Sequence, residues 1–249
     1  MTYATSLYDE NGDMRSDFAL GDLAKIRYQK PDEKLSQKMA EHYTYGSVWD
    51  LYMKTRPGQT VIKSPLADGL IPTHLYETVG VLPGGTIITD IVDANDIQPL
   101  VPGLVVSRYG KGKVAYIPAA QGAMYLQTGM KEFSDFIKNV VEYVSPEGLP
   151  YEIEAPPSTL ITNMTVNGNK RVFYLVTWLG SQSDRMWQNV YYLPPIENVI
   201  IKFKIPEGKK IKNVSSFIPV EFTKKQEKNI LLITISRIDK FQGITIEME

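Results

Sequence analysis

The sequence predicts two domains of different class, a mixed α/β unit over residues 1–147 followed by a β-sandwich over residues 151–249. Three observations lead there. Thr5–Leu23 reads as a short strand, a polar turn at Asn11-Gly12 and a helix opening at Ser16. Phe133, Phe136, Ile137, Val140 and Val144 recur at the spacing of one buried helical stripe. Beyond Pro146-Glu-Gly-Leu-Pro150, short apolar or alternating runs between polar turns replace any helical period.

Taken in order, Ser16 fits an N-cap, with Asp17 in the first turn where the helix dipole favours an acid. A strand-to-helix crossover of this kind needs parallel neighbours to bury it. Residues 33–54 are polar and aromatic, partly helical, and interrupted by Gly46. Gln59–Lys63 reads as a strand, and Val79–Leu82 and Thr86–Val92 as two strands around Pro83-Gly84-Gly85. Leu104–Tyr109 and Lys113–Pro118 flank Gly110-Lys-Gly112, a hairpin signal. In the second domain, Thr159–Val166 and Arg171–Trp178 flank Asn167-Gly168, which suits a type I′ turn. Val199–Ile205, Ile211–Phe217, Ile230–Ile235 and Gly243–Met248 supply further strands.

Composition narrows the function classes. Across 249 residues, 43% are apolar, enough for a sizeable core. The formal charge of -1 argues against a general nucleic-acid binder, which needs a basic face. Residues 1–148 carry 14 Lys/Arg against 18 Asp/Glu, and residues 149–249 carry 13 against 10, so neither half favours a polyanion. The absence of cysteine excludes disulfides, thiolate metal sites and a cysteine nucleophile. No secretory-signal pattern opens the chain and no run of about 18 apolar residues could span a bilayer, so a soluble chain without membrane partners is expected.

The segment Ser6-Leu-Tyr-Asp9, Gly12, Arg15, Asp17-Phe-Ala-Leu20 and Asp22-Leu23 resembles S-L-Y-D-E-x-G-x-x-R-x-D-F-A-L-A-D-L. That pattern belongs to carbohydrate-active enzymes with a β-galactosidase trimerisation domain, such as family 42 β-galactosidases and related glycoside hydrolases with a fucosidase-like barrel. Gly21 replaces the usual Ala, and Ala24-Lys-Ile26 replaces Phe-Gly-Val. Arg108–Pro118 is similar to the family's R-Y-G-K-G-x-V-x-Y-x-P hairpin. Tyr151–Pro157, Tyr174–Trp178 and Pro194–Ile201 resemble its later β segments, so the likeness covers nearly the whole chain in family order. It implies a flavodoxin-like, glutamine-amidotransferase-like α/β unit, N-terminally incomplete, then an immunoglobulin-like β-sandwich. It also implies a chain that starts after the catalytic (β/α)8 barrel. A sheet deprived of its first strands would leave an open edge.

Motifs for chemistry are sparse. Gly110-Lys-Gly112-Lys113 lacks the spacing of a phosphate loop and a following helix. Without Cys or G-x-S-x-G, amidotransferase-type nucleophilic chemistry is absent. His42 and His74 sit in no metal-ligand spacing, so no metal or other cofactor is assigned. Asp9, Glu10, Asp13 and Asp17 crowd one turn and suit capping better than a carboxylate pair across a cleft. Asn163-Met-Thr165 and Asn213-Val-Ser215 match the glycosylation sequon, a pattern short enough to arise by chance.

Aromatic residues offer the remaining candidates. Trp178, Trp187, Tyr191 and Tyr192 border the polar loop Gly180–Arg185 and suit either a sugar platform or an interface. Tyr43, Tyr45, Trp49 and Tyr52 are interface candidates by the same reasoning. No catalytic residue is assigned. The expected role is a non-catalytic accessory portion of a glycoside-hydrolase-like protein, with self-association or a barrel as partner. The alternative is a carbohydrate-binding module using the sandwich aromatics.

Overall fold

A computed structural model describes residues 1–33, 35–37, 51–73, 75–95, 97–128, 130–145, 147–156, 159–177 and 194–249. They form two compact units, Met1–Glu147 and Gly148–Glu249. Both are built mainly of antiparallel sheet, and no helix among the described residues is long and apolar enough to cross a membrane.

Seven strands run through the first unit: β1 (Ile26–Tyr28), β2 (Leu51–Thr55), β3 (Leu70–Thr73), β4 (Val79–Val81), β5 (Thr86–Asp93), β6 (Pro99–Tyr109) and β7 (Gly112–Tyr116). The main sheet has the order β3-β2-β5-β6-β7, and every pairing in it is antiparallel. This corrects the flavodoxin-like expectation, because a doubly wound sheet is parallel and joined by crossover helices. Hairpins replace the crossovers here, including the one at Gly110, whose φ of +56° completes the β6–β7 turn. Among the described residues one parallel contact occurs, where Thr2 bridges Ile117 just beyond β7.

The residues of β6 show how both faces of this sheet are buried. Leu104 and Val106 enter a core with Leu51, Met53, Ile71, Ile91 and Phe136, whereas Val105 joins Leu7, Phe18, Ile26 and Tyr116 in a second cluster. Alternation along a pleated strand sends neighbours to opposite faces, so a strand covered on both sides reads as continuously apolar. Helix α3 (Lys131–Val144) follows the predicted stripe and buries Phe133, Phe136 and Val140. Before it lies α2 (Gln121–Thr128).

The opening segment keeps the turn at Asn11-Gly12 but departs from the expected strand and from a helix opening at Ser16. Tyr3 and Ser6 have positive φ values of 48° and 69° and bend the chain early. Side chains then act as turn formers. Asp9 Oδ1 accepts from the Asn11 and Asp13 amides at 2.9 and 3.0 Å, and Ser6 Oγ accepts from the Leu20 amide at 3.1 Å. Asp17 Oδ1 ties Phe18 to Tyr28, so Asp17 is not a first-turn acid. What remains helical is α1 (Gly21–Ala24), ended by Lys25 in the left-handed region.

One smaller expectation fails for a local reason, and another holds with distant partners. Gln59–Lys63 is a loop, because Gln59 Oε1 accepts from the amides of Val61 and Ile62 and its Nε2 donates to the Ile62 carbonyl. A side chain that binds its neighbours' backbone removes those groups from a ladder. The two strands expected around Gly84-Gly85 are present, but they do not pair with each other. Instead β4 pairs with β1, and β5 enters the main sheet.

The second unit is a β-sandwich, with eight strands among the described residues. They are β8 (Tyr151–Glu154), β9 (Thr159–Val166), β10 (Lys170–Thr177), β11 (Ile196–Lys204), β12 (Ile211–Ser216), β13 (Phe222–Glu227), β14 (Ile230–Ile238) and β15 (Phe241–Met248). One sheet runs β12-β15-β10-β9 and the other β13-β14-β11-β8. Between them Phe173, Leu175, Ile244 and Ile246 meet Val199, Ile201, Phe203, Ile233 and Ile235. Asn167 and Gly168, at φ 49° and 68°, make the tight β9–β10 turn that Asn-Gly favours. Strand β13 was not foreseen, since Phe-Thr-Lys-Lys-Gln-Glu is polar on both faces and pairs on one side only.

Candidate functional site

Glu77 is the electrostatic outlier of the first unit. Its amide donates to the Pro118 carbonyl at 3.1 Å, which holds the chain beside β7 and the opening segment. Burial pushes its carboxyl above the usual range, and among the described residues no cation offsets that cost. Tyr3, Tyr28 and Tyr116 are each raised by burial first and by the Glu77 charge second. Tyr116 is fully buried, donates from its hydroxyl to the Tyr3 carbonyl at 2.7 Å, and meets the edge of Phe18 at 5.5 Å. A lone acid set among tyrosines can donate or accept one proton. Glycosidic cleavage would need a second carboxylate facing it across a cleft, and among the described residues no other acid shifts the Glu77 carboxyl.

A cleft of about 370 Å³ lies on the same unit between β7 and α3. Its walls include Val114, Ile117, Ile137, Val140, Val141 and Val144, and none of its described lining residues is a carboxylate. At its rim the Lys113 ammonium sits 4.4 Å from the centre of the Tyr143 ring. Gln121, wholly buried, donates through Nε2 to the Pro72 carbonyl at 3.2 Å. The described walls of the cleft are mainly apolar, with the Lys113 ammonium at the rim, and offer contact area.

The second unit carries an aromatic cluster on the outer side of the β12-β15-β10-β9 sheet. Gly243 pairs with Tyr174, and the missing side chain leaves room for Phe217, whose amide donates to the Gly243 carbonyl at 2.8 Å. Tyr174 meets Phe217 edge-on at 5.7 Å and stacks on Phe241 at 6.1 Å. Gln242, nearly buried, fixes the following loop through both ends of its amide, accepting from the Ile218 amide and donating to the Ile218 carbonyl. Phe217 and Ile218 remain about half exposed. Such a patch is rich in apolar surface and poor in free hydrogen-bonding groups, which suits contact with protein better than with a polyol.

No family model matches the sequence, and no curated protein matches it. Among solved structures, the chain is similar to α-L-fucosidase isoenzyme 2 from Paenibacillus thiaminolyticus, a glycoside hydrolase, with a TM-score of 0.57 and 12% identity. The match covers 81% of this chain and 32% of that one, so the chain spans about a third of the fucosidase's length. At such identity the likeness is one of fold.

Of the aromatics singled out from sequence, Trp178, Trp187, Tyr191, Tyr192, Tyr43, Tyr45 and Trp49 lie outside the described residues, as do His42 and His74. Tyr52 lies within β2, partly buried, between Pro72 and Val92. Asp9, Glu10, Asp13 and Asp17 do not converge, and among the described residues no group of three or more acids and imidazoles could hold a metal ion. Asn163 of the first sequon has its amide engaged at both ends, with the Tyr151 hydroxyl at 2.6 Å and Arg171 at 2.9 Å. Phe217, Phe241 and Tyr174 were missed as a cluster. Their one sequence signal is Gly243 in an otherwise apolar strand, a position where another group can approach closely.

Proposed function

We propose that this chain is a non-catalytic accessory portion of a glycoside-hydrolase-like protein, serving self-association and packing against a (β/α)8 barrel outside these residues. The observation that carries the reading is the fold likeness to one third of a fucosidase chain. The resemblance of Ser6–Leu23 and Arg108–Pro118 to β-galactosidase trimerisation proteins supports it. So does the chemistry of the first unit: none of the described residues lining the cleft is a carboxylate.

Two measurements test this. The purified chain is assayed against a panel of aryl glycosides, with no turnover above buffer expected. Sedimentation velocity across a dilution series is expected to show reversible association. Hydrolysis at ordinary enzyme rates would overturn the non-catalytic reading, and a single-chain mass at every concentration would overturn the self-association.

A further inference from the structure

We propose that β9 is a self-docking edge, at which two copies of the chain pair strand to strand and continue the β12-β15-β10-β9 sheet across a two-fold axis. The inference rests on the self-association proposed above and names its surface.

A sheet edge presents unpaired N–H and C=O groups to any passing strand, and proteins blunt such edges with charge, proline or a bulge. Among the described residues the sandwich has four edges, and three are blunted. Strand β8 carries Glu152 and Glu154, β13 carries Lys224, Lys225 and Glu227, and β12 has Lys212 within a register shift between Ile211 and Asn213. Strand β9 has none of these. Its eight residues, Thr-Leu-Ile-Thr-Asn-Met-Thr-Val, include no charge and no proline. It pairs with β10 in unbroken register from Thr159 to Val166, and among the described residues no strand pairs with its other edge.

Side chains on β9 point the same way. Five large apolar residues of the second unit are exposed among those described, and two of them, Ile161 and Met164, lie on this one strand. Met164 Sδ also accepts from the Tyr174 hydroxyl at 3.4 Å, which makes the edge continuous with the Tyr174, Phe217 and Phe241 patch.

Charge selects a second copy as the occupant. A two-fold contact sets a strand antiparallel against itself, so each residue meets the mirror position of the same sequence. Centred on Ile153, β8 would place Glu152 opposite Glu154. Centred between Lys224 and Lys225, β13 would oppose two ammonium groups. Like charges directly opposite are destabilising. Strand β9 meets its own copy with threonine, asparagine and apolar groups only.

The test uses the full chain and its lack of cysteine. Thr162→Lys and Met164→Lys place a charge on exposed positions of β9, while Thr223→Lys makes the same change on β13 as a control. Sedimentation velocity is expected to show the associated mass falling by half or more in the two β9 variants and unchanged in the control. Circular dichroism reports whether each variant keeps its fold. Single-cysteine variants Thr162→Cys and Met164→Cys, spin-labelled, give an independent reading. Pairing through β9 predicts label separations that grow with distance from the two-fold centre by twice the strand rise, about 7 Å per residue. Association that survives the charged β9 variants, or labels too far apart to couple, would overturn the docking edge and leave self-association standing. A wild-type chain that stays single would overturn both.

Discussion

A methyl group built on Gly243 would lie 2.5 Å from the ring of Phe217. That close approach is what seats a half-exposed phenylalanine on a sheet. Gly243→Ala is therefore expected to drive the ring off Tyr174 into solvent and to lower stability by about 1–3 kcal/mol, the usual range for overpacking. Urea unfolding measures it. The double variant Phe217→Ala, Gly243→Ala is expected to regain much of the loss, because the clash needs both partners.

Arg56 grips Asp90 through two hydrogen bonds, from Nε at 2.6 Å and a terminal nitrogen at 2.7 Å. The Asp90 side chain is 11% exposed and that of Arg56 is 44% exposed. Arg56→Met leaves the carboxylate largely enclosed without its fork. Solvent reaching the guanidinium side moderates the loss, so about 1–2 kcal/mol is expected. An unchanged urea midpoint would contradict this.

Glu77 makes stability depend on pH in an unusual direction. Its carboxyl is raised by burial, so over that window the folded chain binds more protons than the unfolded one. The contribution is favourable at low pH, and stability falls as pH rises from the ordinary carboxylate value through the higher folded value. Glu77→Gln is expected to raise the melting temperature at neutral pH, with the advantage vanishing in acid. Melting curves at several pH values check both halves. A variant less stable than wild type at neutral pH would show that Glu77 has a partner.

Two positions on α3 separate core from surface. Phe136 is fully buried in the larger core of the first unit, so Phe136→Ala is expected to cost about 3–5 kcal/mol. Val141 is 39% exposed at the cleft, and Val141→Ala is expected to change stability by within about 0.5 kcal/mol. Chemical denaturation of the two variants side by side tests whether the cleft wall is structural.

Much of the second unit was legible residue by residue. The alternating or apolar runs at 199–205, 211–217 and 230–235 fall on strands to within a residue, and Asn167-Gly168 lies at a turn with both φ values positive. The stripe from Phe133 to Val140 lies on the buried face of α3. Gln59–Lys63 and Thr5–Leu23 misled because polar side chains there bind the backbone, a competition that apolar periodicity does not register. The candidate site was less legible still. Phe217 and Tyr174 are 43 positions apart in the numbering, and only strand pairing through Gly243 brings them together.

Residue order alone determined where apolar faces recur, which turns the chain can make and which nucleophiles it lacks, since these depend on neighbours a few positions away. Which strands pair was decided by the folded chain. A hairpin and a crossover bury similar local patterns, and they differ only in distant partners. Antiparallel pairing of β5, β6 and β7 therefore replaced the parallel sheet that the opening segment implied. The place of β9 at the end of its sheet, among the described residues, is likewise decided only by how the other strands pair.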